Sequence, residues 1–226
     1  MGVMSQSARF ARPVQPAHPS YSATVVTPIG RMHMASDGTA LTELCLEDWW
    51  WAKSRNDDDC GTATGDATAA SIPDNTAAAG DAHLDTVVLI APEHRASEGA
   101  RDIFRQTGAW LKAYFTDEHP DFGSAPPLHA QGTPFQHEVW ALIAEIPYGR
   151  TVSYGDIAAE LAERRGGGRM AAQAVGGAVK RNPITIIVPC HRVVGSGRSF
   201  GGYGGRLDIK ATLLDLEGVD LSRFDL

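Results

Sequence analysis

Residues 188–194 run Val188-Pro189-Cys190-His191-Arg192-Val193-Val194, so a thiol and an imidazole stand side by side behind the apolar run of Ile184, Ile186, Ile187 and Val188. A thiol is a nucleophile only as its thiolate, and a nearby imidazole is a common way to take its proton. If Pro189 ends a strand and the chain stays extended, the side chains of Cys190 and His191 point to opposite faces, so a water relay between them is the simpler expectation. A cysteine that only fills core space is the alternative, because Cys is among the most buried residue types.

The rest of the chain limits what this pair can do. With 226 residues, 43% hydrophobic and 21% charged, it has room for one large domain or two modest ones. No stretch approaches the length of an apolar membrane span, and residues 1–20 lack the apolar block of a secretory signal, so a cytoplasmic protein without membrane contact is expected. Cys45, Cys60 and Cys190 are odd in number and fit neither a disulfide framework nor a zinc spacing, so no metal is expected. The net charge of −7 is unevenly spread: residues 147–210 hold ten Lys or Arg against four Asp or Glu. This asymmetry predicts one face suited to phosphate, or else a merely solvated basic face.

Periodicity gives the elements that must position the pair. Residues 1–20 read as a disordered tail. Strand-type runs over 21–26, 31–36 and 41–47, separated by turn signals at Gly30 and at Asp37 with Gly38, predict an antiparallel meander. Residues 53–82, rich in Ala, Thr, Asp and Gly, predict a flexible insert; a strand over 84–90 and a helix over 97–115 follow. Thr133 and Pro134 open a second helix, and Ser153 caps a third that runs to about Glu163. A glycine-rich turn at 164–168 leads to a helix over about 170–180 with small residues on nearly every face. Two short helices joined by such a turn resemble a helix-turn-helix, although ordinary helical packing gives the same pattern.

Several motifs then fall in one order and spacing: Thr133-Pro134-Phe135-Gln136 with Val139-Trp140, Ile146-Pro147-Tyr148-Gly149, Ser153-Tyr154-Gly155, Ala174-Val175-Gly176-Gly177-Ala178, Asn182-Pro183, the Cys190 heptapeptide, Gly202-Tyr203, and Leu213-Leu214 with Glu217-Gly218. Over 132–218 this arrangement resembles the methylated-DNA–protein-cysteine methyltransferases, the alkylguanine repair proteins. The resemblance implies an α+β chain. Its N-terminal α/β domain over 21–123, a small antiparallel sheet with a helix, would be ribonuclease H-like; its DNA-binding and active-site domain over 132–220 would be helical, with a winged helix-turn-helix.

The resemblance also implies the chemistry: a monomer that binds duplex DNA carrying alkylated guanine and flips the damaged base out of the stack. The alkyl group on oxygen 6 of guanine, or oxygen 4 of thymine, passes irreversibly to Cys190, once per protein and with no cofactor. His191 would draw the thiol proton through water, Glu217 orient the imidazole, Asn182 brace the network, and Tyr154 hydrogen-bond the flipped base. The DNA-binding set would be Gln173, Ala174, Arg169, Ser153, Lys180 and Arg192, with the small-faced helix in the minor groove. Val193, Tyr203, Gly204 and Lys210 would line the substrate pocket, and Trp140 would belong to the core.

The chain departs from the family pattern where an arginine usually precedes Ala-Val-Gly; here the residue is Gln173, shorter and uncharged, with Arg169 one turn earlier. Arg198 and Arg206 stand where glycines are usual, which predicts an altered loop path if either position needs positive φ. Two rivals remain open: a protein that binds alkylated DNA without repairing it, and a thiol hydrolase acting on small esters. Familiar cysteine hydrolases bring Cys and His together from distant positions, which argues against the second.

Overall fold

The computed structural model describes residues 21–47, 88–90 and 96–226. The expected tail 1–20 and insert 53–82, with Trp49, Trp50, Trp51 and Cys60, lie outside the described residues.

The architecture is α+β. Strands β1 (Tyr21–Thr27), β2 (Gly30–Ser36), β3 (Leu41–Leu46) and β4 (Val88–Ile90) form one sheet in the order β3-β2-β1-β4, antiparallel throughout. Period-two alternation turns Ala23, Val25, Met32 and Met34 inward. The turn between β2 and β3 is held by the Asp37 carboxylate, which accepts from the backbone N–H groups of Thr39 and Ala40 at 2.8 and 2.9 Å. Helix α1 (Glu98–Phe115) starts at Ser97, whose hydroxyl accepts from Ala100 N, and lays Ile103, Phe104, Leu111, Tyr114 and Phe115 into the core.

The C-terminal half is helical. Helix α2 (Pro134–Ala144) opens with a capping box between Thr133 and Gln136, and α3 (Tyr154–Arg164) with one between Ser153 and Asp156. Helix α4 spans Ala172–Lys180, a little shorter than expected at its start, and Ala171 at its N-cap makes no side-chain hydrogen bond. The buried Trp140 indole donates to Ala178 O at 3.0 Å and ties α2 to α4, as a core residue should. A two-stranded parallel pair, β5 (Val152–Ser153) with β6 (Val193–Val194), and helix α5 (Leu207–Leu216) complete the fold.

The edge of β3 joins the halves. Leu41 exchanges backbone hydrogen bonds with Pro127 and His129, and Leu44 with Pro183 and Thr185, each at 2.8 Å. One hydrophobic cluster therefore runs from the sheet through α1 to α2, α3 and α4. The segment so anchored, 183–185, is the one that leads to Cys190.

Loss of the α2 cap should be measurable on its own. Thr133→Ala is expected to lower the unfolding free energy by about 1 kcal/mol, read as a lower urea midpoint with an unchanged slope.

Candidate active site

The strand expected to carry Cys190 is instead a series of tight turns. Ile187 N bonds to Thr185 O across Ile186, which is held at φ 69°, a region a β-branched residue enters only under strain. Cys190 N bonds to Val188 O across Pro189, whose φ of −80° and ψ of 66° make an inverse γ-turn. Residues Cys190–Arg192 then form a single 3₁₀ turn. Side chains therefore do not alternate here as in a strand, and no hydrogen bond joins the Cys190 thiol to the His191 imidazole among the described residues.

His191 is fully buried, and its Nε2 lies 2.7 Å from Glu217 Oε1. Its Nδ1 is buried with no hydrogen-bond partner among the described residues. Glu217 gathers donors from several elements. Arg192 Nε and Nη2 reach its oxygens at 2.9 Å, Gly149 N reaches Oε2 at 3.1 Å, and the Tyr114 hydroxyl donates to Oε1 at 2.7 Å. Gly149 is required there: its φ is 69°, and a Cβ would come within 2.8 Å of Glu217 O.

These contacts set the protonation states. Burial opposes the Glu217 carboxylate, but His191 and Arg192 outweigh it and hold the acid well below its ordinary range. Burial pushes the His191 imidazole down despite the pull of Glu217, favouring the neutral base. Burial pushes the Cys190 thiol up, against the opposing influence of the Asn182 and Tyr203 side chains and the Lys210 charge. At rest the site therefore holds a protonated thiol, a neutral imidazole and a carboxylate. A nucleophile appears only when a base takes the proton.

Cys190, 5% exposed, sits in a cleft of about 360 Å³ lined also by Tyr154, Lys180, Asn182, Tyr203 and Gly204, within the size range of small-molecule sites. Asn182 Nδ2 donates to Val188 O at 2.8 Å and its Oδ1 accepts from Ile184 N, so it braces the turns before the cysteine. Tyr154 reaches across the cleft toward Gly202 O at 3.4 Å. On the adjoining α4 surface Ala172, Gln173 and Ala174 are exposed, as is Arg169 just before the helix.

Comparison with known proteins bears on what this cleft serves. Residues 134–219 match the family model described as 6-O-methylguanine DNA methyltransferase, DNA binding domain. The chain is 37% identical over 191 residues to the methylated-DNA–protein-cysteine methyltransferase of Mycobacterium leprae, covering 84% of this chain and 88% of that one. It is 35% identical over 206 residues to the Mycobacterium tuberculosis protein of the same name, covering 89% and 97%. The crystal structure of Mycobacterium tuberculosis O6-methylguanine methyltransferase superposes with a TM-score of 0.59 at 33% identity, covering 92% of this chain and 96% of that one. The structure of Mycobacterium tuberculosis OGT in complex with DNA gives a TM-score of 0.58 at 33% identity, covering 90% and 94%.

The chain belongs to the methylated-DNA–protein-cysteine methyltransferase family.

Against this family membership, several expected positions need correction. Arg192 was expected on the DNA face, but it is buried, with its guanidinium on Glu217 and on Ile146 O at 2.6 Å. Val193 and Lys210 stand behind the cleft instead of lining it. Val193 pairs with Val152, and the buried Lys210 Nζ donates to Val193 O and Phe200 O at 2.7 and 2.6 Å. Neither Arg198 nor Arg206 has positive φ; Arg198 pairs with Asp225, and Arg206, at φ −103°, pairs with Asp208.

The basic stretch is correspondingly less basic. Arg164 is paired with Glu145 and Glu160, and Arg165 with Glu138, while Arg150, Arg169 and Arg181 make no ion pair among the described residues. Tyr114 was missed by sequence reasoning altogether. It lies before the segment matched by the family model, and in sequence it reads as one more apolar-face residue of α1.

Because its folded pKa is depressed, Glu217 adds stability above its unfolded value of 4.5 and loses it as pH falls below that value. Glu217→Gln, which strands Arg192, should cost about 3–5 kcal/mol in urea unfolding near neutral pH. The gap from wild type should narrow in acid.

Proposed function

We propose that the protein repairs DNA by direct, irreversible transfer of an alkyl group from oxygen 6 of guanine, or oxygen 4 of thymine, to the Cys190 sulfur. The observation that carries this reading is a buried thiol at the floor of a base-sized cleft, backed by His191 and Glu217 and flanked by an exposed helix of small residues. In this reading residues 21–123 form a ribonuclease H-like domain, and residues 132–220 a DNA-binding domain with a winged helix-turn-helix. The protein works as a monomer in the cytoplasm.

The small face of α4 enters the minor groove of duplex DNA, where the exposed Ala174 allows close approach and Arg169 and Lys180 meet phosphates. A damaged guanine leaves the stack, and Gln173 occupies the space it vacates. His191 takes the thiol proton through a water at Nδ1, leaving an imidazolium stabilised by Glu217. The thiolate attacks the alkyl carbon. The sulfur–carbon bond forms as the oxygen–carbon bond breaks, and the electron pair stays on the base. Tyr154 donates a hydrogen bond to the departing guanine, which recovers a proton as the imidazolium gives one up. The thioether cannot be cleaved by the same route, so each molecule acts once. Salt dependence should be steep and sequence preference slight.

Titration with duplex carrying a labelled methylguanine tests this reading. Label should move to protein until one equivalent is bound and then stop, and Cys190→Ala should abolish transfer while retaining DNA affinity. Lesion-selective binding without transfer, or repeated turnover of small esters, would overturn it. Gln173→Arg should speed repair of duplex and leave reaction with free alkylguanine base little changed, since the free base needs no flipping. Equal effects on both substrates would place Gln173 in the pocket chemistry instead.

A further inference from the structure

We propose that Tyr114, on α1 of the N-terminal half, is a positioning residue for alkyl transfer: its hydroxyl fixes Glu217 against His191 and so sets how readily Cys190 gives up its proton. The proposal rests on the alkyl-transfer reading and deepens it.

The geometry is specific to the hydroxyl. Tyr114 is 1% exposed, and its ring is already accounted for by packing: it stacks on Trp110 with centroids 5.7 Å apart and meets Phe115 and Tyr148 edge-on at 5.1 and 6.1 Å. Phenylalanine would fill that space equally well, and a buried hydroxyl is costly unless it is hydrogen-bonded. Here it donates to Glu217 Oε1 at 2.7 Å and lies 3.4 Å from His191 Nε2. Oε1 is the same oxygen that His191 Nε2 meets at 2.7 Å, so tyrosine and histidine share one acceptor.

Neutralising Glu217 does not require Tyr114, because Arg192 and Gly149 N–H already bind both oxygens. Its hydroxyl has two further effects. It fixes the direction in which Oε1 presents its lone pairs to the imidazole, and it withdraws part of the charge that would stabilise the imidazolium. Burial and the neighbouring carboxylate keep the Tyr114 phenol far from ionising, so it remains a donor throughout the reaction.

The other groups facing this network are Arg192 and Cys190 on the 3₁₀ turn, Tyr148 before Gly149, Lys210 on α5 and Tyr203 on the loop before α5. Asp117 and His119 lie one layer further out, against Tyr148. Among the described residues, Tyr114 is the only one of the N-terminal half hydrogen-bonded to His191 or Glu217.

The test compares wild type, Tyr114→Phe, and protein carrying 3-fluorotyrosine at 114, a stronger donor of nearly the same shape. Three rates are followed from about pH 5 to 9, the range in which histidine titrates: transfer from lesion duplex, transfer from free alkylguanine base, and alkylation of Cys190 by iodoacetamide. Tyr114→Phe should slow all three about tenfold, because an Oε1 no longer held in direction leaves the imidazole misaligned for the thiol proton, and this loss exceeds the gain in imidazole basicity, with DNA affinity unchanged. Its acid limb should move to higher pH, because His191 then has more of the Oε1 charge, and the fluorotyrosine protein should move the limb the other way. Unchanged limbs with rates within about twofold of wild type would overturn the proposal. So would a loss confined to the duplex substrate, which would mean that Tyr114 acts on DNA docking. A wild-type protein that reacts with iodoacetamide but takes nothing from either guanine substrate would sink the alkyl-transfer reading, while the iodoacetamide profiles would still decide the role of Tyr114.

Discussion

The buried carboxylate of Glu217 is the constraint on which the site depends. A lone carboxylate in a core is prohibitively unfavourable, and this one is sustained by His191, Arg192, Gly149 N–H and Tyr114, which come from three separate parts of the chain. To supply those donors the fold must bring the end of α5, the 3₁₀ turn at Cys190, the loop before β5 and the last turn of α1 to one point. The hydrophobic cluster running through both halves provides the rigidity for this, and the backbone bonds from β3 to residues 183–185 fix the approach to Cys190.

A buried thiol that rests protonated suits a protein that reacts once. A permanently ionised thiol would be open to any electrophile, whereas in the proposed mechanism the Cys190 proton passes first to His191, so the thiol is activated only along a built path. The strained φ of Ile186, the inverse γ-turn at Pro189 and the two hydrogen bonds of Asn182 together point Cys190 into the cleft. Strain of this kind persists only where the surroundings over-determine it.

Most of the frame was legible in the sequence because it follows local rules. Thr133 with Pro134, and Ser153 with Asp156, mark helix starts by capping chemistry alone, and alternating apolar residues gave the first three strands. The failures came where long-range contacts decide. An apolar run ending in proline reads as a strand, yet 184–188 pairs mainly with itself and with β3 and so folds into turns. Arg192 reads as a phosphate ligand because nothing near it in sequence announces Glu217. Tyr114 was invisible for the same reason: its partner lies 103 residues away. The positive charge of residues 147–210 is offset from a distance in the same way, since the carboxylates that pair with Arg164, Arg165 and Arg198 include Glu138, Glu145 and Asp225, all outside that stretch.

The central claim is that the alkyl group ends on one buried sulfur at the floor of this cleft. The most direct measurement is peptide-level tandem mass spectrometry of the protein after reaction with an equimolar methylguanine duplex. The account predicts a single added CH2 unit, placed by fragment ions on Cys190, with Cys45 unmodified. A methyl group on any other residue, or full loss of the lesion with Cys190 unchanged, would contradict it.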